Sequence, residues 1–115
     1  MKKLFTQLVL ILMTCSVFAQ APQKMSYQAV IRNSNNALVI STPIGMKISI
    51  LQSSSTGTPV YIETQTPTTN ANGLVTIEIG GGTLVSGSFA GIDWTAGPYF
   101  IKTEIAVVAP LTSYT

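Results

Sequence analysis

Asp93 and Trp94, followed closely by Gly97, Pro98 and Tyr99, are the residues of this chain best suited to holding a ligand. An exposed indole face stacks on a sugar ring, while a carboxylate and a phenol hydroxyl bind its hydroxyl groups. A competing reading makes Trp94 a plug of the core or of a sheet edge. Asp93 then caps the loop through backbone N–H groups. The large area an indole buries favours this second reading.

Catalytic chemistry has few residues to draw on. The chain has no His, one Cys and four carboxylates, Glu63, Glu78, Asp93 and Glu104. Zinc sites, Cys-His or Ser-His-Asp nucleophiles and disulfides therefore lack their parts. Glycoside hydrolysis needs two carboxylates held at a defined separation, and nothing in the spacing brings two together. Glu63, Glu78 and Glu104 fall at outward positions of predicted strands, as solvated charges that discourage edge pairing. Thr69, Asn70 and Asn72 offer oxygens at a turn, but they are neutral and only Glu78 follows, a poor calcium set. Gly80-Gly81-Gly82 lacks the Lys and the helix of a phosphate loop and reads as a strand terminator. The expectation is a non-enzyme with no catalytic residue, no cofactor and no metal.

These residues need a compartment and a scaffold. Residues 1–19 combine Lys2 and Lys3 with an apolar stretch over residues 8–13 and a small-residue cleavage site ending at Ala19, the pattern of a Sec signal peptide. That apolar stretch falls short of the roughly 20 residues of a membrane-spanning helix. Cys15 reads as an ordinary apolar residue of the signal, because Thr14 before it fits lipoprotein processing poorly. The remaining residues 20–115 form one domain, exported to the periplasm, the outer surface or the medium. Its Lys24, Arg32, Lys47 and Lys102 balance the four carboxylates. A balanced chain lacks the positive field of a nucleic-acid binder.

Val, Ile and Thr dominate this domain, and runs of period two are punctuated by Gly, Pro, Asn and Ser. Strands are expected over residues 25–32, with Tyr27, Ala29 and Ile31 on one face, and over 37–40. Residues 44–52 follow, with Ile44, Met46, Ile48 and Ile50 inward and Lys47 and Ser49 outward. Residues 60–66 are expected to turn Val60, Ile62 and Thr64 inward, since a buried Glu63 is improbable on general grounds. Residues 74–79 point Val75, Ile77 and Ile79 one way. Residues 83–91 read as a glycine- and serine-rich crossing, and 99–107 as a last strand with Tyr99, Ile101, Thr103 and Ile105 on one face. Asn70 to Gly73 is the strongest turn signal, with Gly73 placed for positive φ.

The set Tyr27-Gln28-Ala29-Val30-Ile31-Arg32, Tyr61-Ile62-Glu63, Asn70-Ala71-Asn72-Gly73-Leu74-Val75, Ile92-Asp93-Trp94 and Gly97-Pro98-Tyr99-Phe100 resembles the N-terminal β-rich domain of exported Bacteroidetes proteins. The likeness extends over nearly all of residues 20–115. It implies a surface or secreted structural role upstream of repeat, tail-fibre-like or secretion-signal regions. Similar proteins continue past the Ser113-Tyr114 position into a further strand.

The expected fold is thus an all-β, antiparallel Ig-like or transthyretin-like sandwich that lacks its last strand through truncation. The expected function is a non-catalytic presentation module whose partners are the downstream domains of its own chain. The alternative is a glycan- or peptidoglycan-binding module built on Asp93, Trp94 and Tyr99. No nucleic-acid partner and no membrane span in the mature chain are expected.

Overall fold

The computed structural model describes residues 24–115, so the signal-peptide expectation and Cys15 lie outside the described residues. Six strands follow in chain order: β1 (Met25–Val30), β2 (Gly45–Gln52), β3 (Pro59–Gln65), β4 (Leu74–Ile79), β5 (Thr83–Gly87) and β6 (Tyr99–Ala106). They form two antiparallel sheets, β1-β4 and β5-β3-β2-β6, packed as a β-sandwich.

The core follows from alternation in β2 and β4. Ile44, Met46, Ile48 and Ile50 are fully buried, and Val75, Ile77 and Ile79 of β4 pack against them, as the period-two pattern predicts. Half-buried Met25, Tyr27 and Ala29 of β1 complete the facing layer. Ser49 departs from expectation: it is buried, because β2 is central and its outer face is flanked by β3 and β6. Lys47 lies outward but only half exposed.

Two turns form as their residue types dictate. Asn70 Oδ1 accepts from the N–H groups of Asn72 (2.8 Å) and Leu74 (3.0 Å), and Gly73 takes a φ of 75°. Asn33 Oδ1 accepts from Asn35 and Ala37, and Asn36 adopts a φ of 63°. The strand expected over residues 37–40 shrinks to a single bridge between Arg32 and Leu38, since Ser41 at positive φ and Pro43 end any pairing.

β5 replaces that strand in the count. It lies where a loop was expected, and all five of its residues are exposed. With no buried face it carries no alternation to read; the open edge of β3 supplies the pairing that makes it a strand.

The second correction concerns β3. Tyr61 and Glu63 face the core, while Val60, Ile62 and Thr64 are half-buried toward the other side. Ile50 pairs with Tyr61 and Ile48 with Glu63, so the carboxylate projects into the inter-sheet layer.

Candidate functional site

Asp93, Trp94 and Tyr99 come together at one end of the sandwich. The segment joining β5 to β6 passes from one edge of the four-stranded sheet to the other and carries a single 3-10 turn at Trp94–Ala96. Asp93 caps that turn: its Oδ1 accepts from the Thr95 N–H at 3.1 Å and from the Thr95 hydroxyl. Tyr99 donates its hydroxyl to the Asp93 carbonyl at 2.6 Å, and Gln52 Nε2 donates to the Ala96 carbonyl at 3.1 Å. The capping role expected of Asp93 is therefore present.

Trp94 is not the buried plug expected. It is 47 % exposed. Its ring stands edge-to-face between Phe89 (centroids 5.8 Å apart) and Tyr99 (5.2 Å), and Phe89 in turn meets Tyr61 at 5.3 Å. Four aromatic rings thus run from the core to the surface, and each contact holds the next ring in place. The loop crosses the end of the sandwich instead of folding into it, which leaves one side of the indole facing solvent.

Hydrogen bonds from Thr95 hold the Asp93 carboxyl below its ordinary value of 3.8, the side-chain bond first and the backbone bond second. A folded value below the unfolded one makes the cap fully stabilising above about pH 3.8 and weaker as pH falls through the lowered value. Acid titration followed by Trp94 emission is expected to show a transition below pH 3.8 that Asp93→Asn removes. A transition unchanged in that variant would show that the cap does not position the indole.

A second constellation escaped the sequence reading. Glu63 is fully buried, yet each of its oxygens is satisfied. Oε1 accepts from the Gly80 N–H at 2.5 Å, and Oε2 accepts from the Gly82 N–H at 2.7 Å and from Gln65 Nε2 at 2.8 Å. Gln65 Nε2 also donates to the Glu78 carbonyl at 2.8 Å. The three glycines are thus more than a terminator: their turn wraps backbone N–H groups around an anion, as a concave nest of amides does. The sequence signal for this nest is Gly80-Gly81-Gly82 directly after a strand, which names no anion until the fold brings Glu63 to it. Burial raises the Tyr61 phenol above its ordinary value, and the Glu63 carboxylate beside it adds to the shift by charge and hydrogen bonding.

The other carboxylates are spread over the surface. Glu78 pairs with Lys24 and Glu104 with Lys102, each at 3.6 Å. Among the described residues no group of three or more His, Cys, Asp or Glu side chains gathers to hold a metal ion. Asn70 Oδ1, considered above for calcium, is committed to its own turn. Among the described residues no helix is long and apolar enough to cross a membrane.

A family described as a domain of unknown function, DUF8740, matches residues 26–113, which include every strand except the first residue of β1. The chain belongs to the DUF8740 family. No curated protein and no solved structure matches it. In this DUF8740 domain the glycine nest around Glu63 and the aromatic end around Trp94 lie at different places on β3: one beside Gln65, the other beyond Tyr61.

Proposed function

We propose that this DUF8740 domain is a non-catalytic structural module at the N-terminus of a larger exported cell-surface or secreted protein, acting by presentation and spacing. The observation that supports the reading is the employment of its carboxylates. Glu63 locks one sheet to the turn that leaves the other, Asp93 caps a turn, and Glu78 and the partly covered Glu104 pair with exposed lysines at the surface. Surface pairs of this kind contribute little, about 0–1 kcal/mol, so the acidic groups serve structure where they serve anything. The downstream domains of the same chain are the partners this role requires. The signal pattern of residues 1–19 supports export.

A second reading rests on one observation, the half-exposed ring of Trp94 beside Tyr99. That edge suits a glycan, with the free oxygen of Asp93 nearby. Trp94 is the chain's single tryptophan, so intrinsic emission reports it alone. Titration with soluble polysaccharides and peptidoglycan fragments is expected to leave that emission unchanged. Saturable quenching, with a heat of binding in calorimetry that Trp94→Ala and Tyr99→Ala each lose, would overturn the structural reading in favour of a glycan-binding module.

A further inference from the structure

We propose that the outer face of the four-stranded sheet carries a binding cleft for a hexuronate, a sugar acid with one carboxylate and several hydroxyl groups. Residues of β2, β3 and β6 that turn away from the core line it, and the loop between β2 and β3 walls one end, around a volume of about 330 Å³. Its floor is Ser49. That residue is only 4 % exposed, and its hydroxyl has no hydrogen-bond partner among the described residues, yet the oxygen is not sealed off. It opens into the cleft. A buried hydroxyl without a partner is costly, so this one is completed by what occupies the cleft.

Charge gathers around that hydroxyl. Ser49 stands opposite Lys102 and Lys47 opposite Glu104, so the four side chains form a square with both lysines on one diagonal. Diagonal neighbours in a sheet lie roughly 7–8 Å apart, close enough for one anion to meet both ammonium groups. Glu104 pairs with Lys102 at 3.6 Å, whereas Lys47 takes part in neither ion pair of the described residues. Two of the four cations of residues 24–115 thus share one cleft with a single carboxylate. The remainder of the lining selects the anion. Glu104 repels a second negative charge and accepts from a hydroxyl, which favours one carboxylate on a hydroxylated body over a dianion. Ser55 and Thr56 add hydroxyl groups at the loop wall, and Leu51 and Ile62 give an apolar patch for the C–H face of a pyranose. That wall is held in place. Gln52 N–H donates to the Thr58 carbonyl at 3.1 Å and Gly57 N–H to the Ser54 carbonyl at 3.0 Å, and a Cβ at Gly57 would strike the Gln52 carbonyl. With its charges balanced, the domain has no long-range field to draw in a polyanion, so selection rests on these short-range contacts.

Titration of the isotopically labelled full chain with galacturonate, followed by NMR, tests this. The expected result is saturable shifts of the Lys47, Ser49, Thr56 and Lys102 amides with a Kd on the order of 1 mM. Galactose, which lacks the carboxylate, is expected to give none, and inorganic sulfate to bind more weakly than galacturonate. Lys47→Gln and Lys102→Gln are each expected to weaken binding about tenfold, the loss of a charge-assisted hydrogen bond. Ser49→Ala is expected to weaken it about threefold or more while keeping the thermal midpoint, because that hydroxyl bonds nothing in the fold. Trp94→Ala is expected to leave it unchanged, which separates the cleft from the aromatic end. Tighter binding of trigalacturonate than of the monomer marks a polysaccharide as the source, and equal binding marks the free acid. No saturable shift with galacturonate, equal shifts with galactose, tighter binding of sulfate, or binding indifferent to Lys47→Gln and Ser49→Ala would each overturn the proposal.

Discussion

Glu63→Ala is expected to cost on the order of 3–5 kcal/mol, because it takes the acceptor from the half-buried Gly80 and Gly82 N–H groups and leaves the Gln65 amide only the Glu78 carbonyl. For a domain of this size the whole margin of stability is only about 5–15 kcal/mol. Thermal denaturation followed by circular dichroism is expected to show a midpoint lowered by more than about 10 °C, or no cooperative transition at all. Glu63→Gln separates charge from shape. It keeps the side-chain length but turns an NH2 group toward a backbone N–H, a donor facing a donor, and is expected to cost about 2–3 kcal/mol. If Glu63→Gln were as stable as the parent, the carboxylate would be merely accommodated and the nest would not lock the sheets.

Gly82→Ala carries the second large effect. A Cβ at this position would lie 2.0 Å from Glu63 Oε2, 2.6 Å from Gln65 Cγ and 2.6 Å from the Thr64 carbonyl oxygen. The carboxylate has nowhere to retreat, since it is enclosed and held by its three donors. The expected cost is about 3 kcal/mol, in the upper range of overpacking. The two sites touch, so their effects are expected not to add. In the Glu63→Ala background the clash with Oε2 disappears and Gly82→Ala is expected to cost distinctly less, leaving the contacts with Gln65 Cγ and the Thr64 carbonyl. Chemical denaturation of the parent, both single variants and the double variant measures that coupling. Strict additivity would show that the glycine is required for the turn alone and not to admit the carboxylate.

The aromatic end of the molecule was legible in part. Asp93 declared itself as a cap by type and by its place before a short turn, and it is one. Trp94 did not declare its exposure, because whether an indole is covered depends on how the loop between β5 and β6 crosses the sandwich. That path is decided by where β5 sits in the sheet, and β5 itself carries no alternation, being exposed along its whole length.

Local chemistry determined much of this protein before any tertiary contact is considered. The period-two runs specified an all-β fold, the inward faces of β2 and β4 were written in isoleucine and valine, and Asn70 and Gly73 built their turn from their own side chain and backbone freedom. What only the tertiary structure decided was the facing of β3. Val60, Ile62 and Thr64 on one side and Tyr61, Glu63 and Gln65 on the other both obey period two, and the apolar set is the one a single strand would bury. The choice fell the other way because the glycine turn following β4 arrives within reach of Glu63 and supplies backbone N–H groups to the carboxylate. A buried charge is prohibitive alone and acceptable when its oxygens are satisfied. Those donors lie 17 and 19 residues away along the chain, so they exist for Glu63 only once the two sheets have packed.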